Sequence, residues 1–138
     1  MPELARIEAV VFLQSVDVFS HCRAEEVLRV AGISEEEVFE AGREIYAPDD
    51  AAEALYCVVR GNVRLEEAGG ETSVVGPLQT FGVLEILSGR LRGARAVAES
   101  EALVLRIRAD DLFDLLANNI EIVRALFRHV ILEFQDND

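Results

Sequence analysis

The chain contains no lysine and no apolar run long enough to cross a bilayer. Its first residues, MPELARIE, lack both the basic flank and the apolar centre of a secretion signal, so a soluble, cytoplasmic protein is expected. Positive charge is scarce. Thirteen basic residues, all arginine, stand against 26 acidic ones, a formal net charge of -13 over 138 residues. That balance opposes DNA and anionic membranes, so neither is an expected partner. The two cysteines, Cys22 and Cys57, belong to no CxxC or Cys/His cluster. They read as reduced structural thiols, with no metal and no disulfide. A catalytic constellation is also missing: His21 and His129 both fall in regions that read as helical, without a ligand-like partner. Ser88, near Arg90, has no base or orienting acid at a recognisable spacing. The expected protein is therefore not an enzyme.

What is present suits one ordinary domain, 51% hydrophobic and long enough to bury roughly two-thirds of its unfolded surface. From Glu3 to Leu13, apolar Leu4, Ile7, Val10, Val11 and Phe12 suit a helix with one buried face. Val16 to Phe19 reads as a turn with Val18 and Phe19 inward, and Arg23 to Ala31 as a second helix that Gly32 stops. The periodicity then changes. Val38-Phe39, Glu44 to Tyr46, Ala54 to Arg60, Asn62 to Ala68, Thr72 to Val75, Ala94 to Ala98 and Ala102 to Arg108 are short and rich in β-branched or aromatic residues. Ala41-Gly42, Pro48-Asp49-Asp50, Gly61, the hairpin tip Gly69-Gly70 and Gly76-Pro77 separate them. Seven or eight such strands imply a sandwich or a small jelly roll. Helix returns at Asp110-Asp111 with Leu112, Phe113, Leu115 and Leu116. A last helix from about Ile120 to Phe134 carries Ile122, Val123, Leu126, Phe127, Val130, Ile131 and Phe134, a stripe broad enough to touch more than the barrel.

One stretch carries the chemistry. Phe81 to Ala98, FGVLEILSGRLRGARAVA, passes from Phe-Gly through a short apolar helix to Arg90, Arg92 and Arg95, with nothing acidic between Arg90 and Ala98. Three guanidinium groups around Gly93-Ala94, beside free backbone N-H groups, suit an anion such as a phosphate. Glycine at 93 permits close backbone approach.

Phe81-Gly82, the short helix, Arg92-Gly93-Ala94 and the strand after them resemble the phosphate-binding cassette of cyclic-nucleotide-binding domains, of the catabolite-activator and protein kinase A regulatory type. The family pattern is Phe-Gly-Glu-Leu-Ala-Leu, a loop, then Arg-x-Ala-Thr-Val. Ala54 to Leu65 resembles the family's Ala-Leu-Tyr-x-Val-x-x-Gly-x-Val strand pair, and Phe12-Leu13, Val18-Phe19, Ala41-Gly42, Pro48 to Asp50 and Gly76-Pro77 follow in the family's order. The resemblance implies a mainly β fold: an eight-stranded antiparallel jelly roll spanning 36–108 with its cassette at 81–95, N-terminal helices in 1–32 and C-terminal helices in 109–134, all one domain over 1–138. It implies a ligand site at Phe81, Gly82, Val83, Leu84, Arg92, Gly93 and Ala94 for a cyclic nucleotide, cAMP or cGMP. It also implies a last helix that forms homodimers or moves as a lid and passes the signal to an output protein, and no winged helix, kinase or channel segment is expected within the chain.

Three positions depart from the pattern. Val83 stands where the family has the glutamate that accepts a ribose hydroxyl, Glu85 where it has a small residue, and Leu78 in place of the glycine after Gly76-Pro77. Two positions along a helix turn a side chain by about 200°, so Glu85 cannot replace the missing glutamate. Glu85 is expected instead to pair internally with Arg92 or Arg95. Two functions follow: a sensor holding a phosphate or other anion, or a degenerate domain that serves as a dimerisation or docking piece.

Overall fold

The computed structural model describes residues 4–136. Helix α1 (Arg6–Ser15) buries Ala9 and Leu13, one turn apart, while Ile7 and Val11 stand 74% and 60% exposed. Of the expected stripe, Leu4, Val10 and Phe12 pack against the core while Ile7 and Val11 do not, because α1 meets the core through the Ala9–Leu13 edge. A short 3₁₀ turn (Asp17–Phe19) buries Val18 and Phe19 completely, as expected. His21 lies in the turn that follows rather than in a helix. Helix α2 (Ala24–Gly32) includes Gly32 as its last residue. Its Glu26 is buried because the carboxylate accepts the Arg23 N-H at 2.7 Å, satisfying a helix N-terminus.

Eight strands follow: β1 (Ser34–Phe39), β2 (Glu44–Tyr46), β3 (Ala54–Arg60), β4 (Val63–Glu67), β5 (Thr72–Val75), β6 (Thr80–Phe81), β7 (Ala94–Ala98) and β8 (Ala102–Arg108). They form two antiparallel four-stranded sheets, ordered β1-β8-β3-β6 and β2-β7-β4-β5. This is the mainly β jelly roll with flanking helices that the sequence implies. β1 begins two residues before the expected barrel edge, and β6, only two residues long, carries no periodicity by which to find it.

Alternation explains why β3 and β8 are apolar along most of their length. Ala54, Tyr56 and Val58 of β3, with Ala102 and Val104 of β8, point between the sheets and join Phe39, Tyr46, Val63 and Phe81 in the inner core. Leu55, Cys57, Leu105 and Ile107 point the other way, where Leu13, Phe19, Val27, Leu112, Ile122 and Leu126 cover them. One sheet thus has both faces buried, and the helices form a layer over it.

Helix α3 (Val83–Ser88) follows β6, and α4 (Ala109–Ala117) and α5 (Ile120–Asp136) end the chain. Helix α5 buries Ile122, Ala125 and Leu126 but leaves Phe127 and Ile131 63% and 54% exposed. Phe134 is named in the expected stripe, but its side chain lies outside the described residues, as do those of 133–136. No helix among the described residues is long and apolar enough to cross a membrane.

Leu78 occupies the left-handed region, φ 71°, in a β-turn closed by the Gln79 N-H donating to Gly76 O at 3.2 Å. A Cβ in that region costs about 1 kcal/mol, which is why glycine suits the place. Leu78 is 42% exposed, so its side chain also buries more than half of its surface. Leu78→Gly is expected to bring no gain in stability in urea denaturation, since the strain it relieves is offset by the burial lost and by the backbone entropy glycine adds to the unfolded chain.

Candidate functional site

Two glycines frame the cassette helix, Gly82 at its start with φ 86° and Gly89 at its end with φ 71°. The loop after it carries Arg92 back toward the barrel. Its backbone is fixed by the Pro48–Asp50 turn: Arg92 N-H donates to Asp50 O at 2.9 Å, and Asp49 N-H to Arg92 O at 2.8 Å. That turn, legible as a Pro-Asp-Asp signal, therefore positions the arginine 42 residues further on.

Arg92 is 2% exposed. Its Nη1 donates to Gly82 O at 2.6 Å and to Glu85 Oε1 at 2.8 Å, and Nη2 donates to Ala54 O. The guanidinium carbon lies 4.2 Å from the centre of the Tyr46 ring. Only Nε, also buried, has no hydrogen-bond partner among the described residues. Both terminal nitrogens are thus engaged from within, Nη1 by two partners and Nη2 by one, and the internal pairing expected for Glu85 is made with Arg92. Gly82 has to be glycine here, since a Cβ would lie 2.9 Å from Arg92 Nη1. Tyr46 was not legible as part of this site. It reaches Arg92 from β2, the neighbour of β7, in a cluster with side chains of the opposite sheet, where Tyr56 and Phe81 stack at 4.9 Å and Tyr46 and Phe81 stand 6.2 Å apart. Burial pushes the Tyr46 phenol up to about 12 against the pull of Arg92, so a neutral ring faces the guanidinium.

The neighbouring arginines are employed elsewhere. Arg95 pairs with Glu44 and lies 3.8 Å from Glu66, and Arg90, exposed, donates through Nε to Ser88 Oγ at 3.2 Å. Both cysteines are free, and burial pushes the Cys22 thiol up to about 11 and Cys57 well above the ordinary thiol range.

Beside the cassette lies a pocket of about 340 Å³. Six of the seven expected site residues border it: Phe81, Gly82, Val83, Leu84, Gly93 and Ala94. Arg92 does not, and borders instead a smaller cleft of about 250 Å³ on the other side, with Tyr46, Asp50, Glu53 and Tyr56. Val83 and Glu85 both reach the pocket despite their helical separation, Val83 packed into the helical core and Glu85 crossing to Arg92. Asp17, Glu67 and His129 also line it, the last from α5, and no local motif marks them. Asp17 is held by Thr80, whose Oγ1 donates to Oδ1 at 3.0 Å. The charged wall is therefore mainly acidic, and among the described residues no arginine lines it.

Solved structures share this architecture. An N-terminal domain of a transcriptional regulator from Streptomyces coelicolor A3(2) superposes with TM-score 0.77 at 24% identity, over 92% of this chain and 94% of that one. The regulatory subunit of a cAMP-independent protein kinase A from Trypanosoma brucei, in a triple mutant bound to cAMP in its A site, gives 0.76 at 22%, over 89% of this chain and 46% of the subunit. The catabolite activator protein of Thermus thermophilus gives 0.76 at 25%, over 88% of this chain and 60% of its own. The chain thus spans nearly all of one relative and about half of the others. No curated protein matches the sequence. The cyclic nucleotide-binding domain family matches residues 36–119, which run from β1 through α4 and include the cassette, the aromatic cluster and Arg92, and the chain belongs to that family.

Proposed function

We propose that this is a regulatory domain of the cyclic-nucleotide-binding type whose phosphate seat is closed by its own carboxylate. The Arg92–Glu85 contact carries the reading. A phosphate that used Arg92 would have to displace Glu85 and find room beside a guanidinium already bonded to two backbone carbonyls. It would also meet the acidic wall of Asp17 and Glu67 and, at Val83, no acceptor for a ribose hydroxyl. The Trypanosoma structure adds support: the cAMP-bound form carries a glutamate-to-alanine change and, seven positions further on, a change to arginine. Glu85 and Arg92 are also seven apart. The acid and the arginine are paired here, where that mutant lacks the acid.

Output in this reading passes through α5, which borders the pocket at His129 and exposes an apolar face to another chain, whether a second copy in a homodimer or an output protein. Gly93 and Ala94 at the pocket wall support a second reading, a sensor that holds a phosphate or other small anion at Arg92, Gly93 and Ala94 once Glu85 swings away and Arg92 turns toward the pocket. Isothermal titration with cAMP and cGMP decides between them. No saturable heat up to about 1 mM nucleotide is expected, and micromolar binding would establish the sensor instead.

A further inference from the structure

The outer face of α5 is chemically unlike most of the surface. Phe127, Ile131 and Leu132, 63%, 54% and 43% exposed, share a groove with Arg124 and Arg128. A second depression along the same helix is again lined by Arg124 and Arg128, with His21 and Glu121. The two arginines stand one helical turn apart, side by side on the helix, in a chain of net charge -13. Arg124 is 75% exposed at its side chain and approaches Glu121 at only 3.8 Å, a contact worth little in water. Three large apolar side chains bracketed by two available cations form one half of an amphipathic contact.

The charge pattern selects the occupant. A second copy paired in parallel along this stripe would set Arg124 against its own copy, like against like. A nucleic acid would meet the repulsion of the acidic chain as a whole. A short acidic segment confined to this face is held by Arg124 and Arg128 locally, while the chain's more distant carboxylates lie beyond the screening length of about 10 Å.

We propose that the outer face of α5 docks an acidic amphipathic helical segment of a partner protein, with apolar anchors over Phe127 and Ile131 and carboxylates on Arg124 and Arg128. The proposal deepens the output role given to α5 above and rests on it, but not on the state of Glu85. Because His129 faces the cassette pocket from the same stretch of helix, a docked partner and the pocket would touch opposite sides of one element.

The test titrates isotope-labelled protein with a designed amphipathic peptide bearing leucines at helical spacing and flanking glutamates, and with its counterpart bearing lysines. The acidic peptide is expected to bind saturably, at least about tenfold tighter than the basic one, with amide shifts centred on 124–132. Arg124→Glu combined with Arg128→Glu, both on the surface, should reverse the preference without lowering the melting temperature. Equal binding of both peptides, shifts elsewhere or no binding would overturn the proposal. So would concentration-dependent dimerisation in sedimentation that Phe127→Asp abolishes, since the face would then belong to a second copy. Adding cAMP to the same sample reads the cassette separately: shifts at 82–85 would contradict the closed seat and leave the docking result standing.

Discussion

Val83→Glu combined with Glu85→Ala is expected to raise the affinity for cAMP by about a hundredfold, measured by isothermal titration. Glu85→Ala removes the carboxylate 2.8 Å from Arg92 Nη1, so a phosphate no longer competes with an internal charge-assisted bond. Val83→Glu supplies an acceptor on the pocket wall, where a ribose hydroxyl would otherwise meet hydrocarbon. Each charge-assisted hydrogen bond is worth about 1.5 to 3 kcal/mol, and about 2.8 kcal/mol in total corresponds to a hundredfold. The estimate sits at the low end because Val83 also packs in the helical core, and a glutamate there loses that burial until ligand holds it. Each single change should give part of the gain. An affinity unchanged in the double variant would mean that something other than Glu85 and Val83 closes the pocket.

Arg92→Ala should be the most destabilising surface-independent change in the cassette. It leaves the carbonyls of Gly82 and Ala54 and the Glu85 carboxylate without their donor, and strips the cation from Tyr46. Removing one partner from a buried charged network costs about 3 to 5 kcal/mol, which at this chain length is a fall in melting temperature of about 10 °C or more. Glu85→Ala should cost clearly less, because Arg92 keeps both carbonyls and the ring, and the Glu85 side chain is 24% exposed rather than 2%. Urea denaturation of the two variants beside the parent chain checks the order. Equal, small losses would show that Arg92 is a ligand contact held ready, with little part in the fold. The larger loss would also mean that abolished ligand binding in Arg92→Ala cannot by itself identify a phosphate contact.

Much of the fold was legible because its signals are local. Turn residues at Pro48–Asp50, Gly61, Gly69-Gly70 and Gly76-Pro77 punctuate strands whose apolar runs reflect burial on both faces. Where the reading failed, the deciding contact lay far off in sequence. β6 is defined only by pairing Tyr56 with Phe81 and Cys57 with Thr80, and two residues have no period. The face α1 presents depends on the sheet and helices it meets, and its own spacing allowed Ile7 and Val11 as readily as Ala9 and Leu13. In the cassette, the Glu85–Arg92 pair spans seven residues and could be foreseen from charge and helix geometry. The rest of the Arg92 seat could not: Ala54 O lies 38 residues away, and Tyr46 arrives from β2, also distant in sequence. A local motif shows that an arginine is present, but only the long-range packing shows which way it faces.

The most direct test is side-chain NMR of the Arg92 guanidinium in the parent protein, before and after cAMP is added. A group locked to Glu85, Gly82 O and Ala54 O should show slowly exchanging Nη protons, unmoved by nucleotide up to about 1 mM and mobilised by Glu85→Ala. Nη resonances that are averaged by free rotation in the parent, or that shift with micromolar cAMP, would contradict the closed seat and make Arg92 a working phosphate contact.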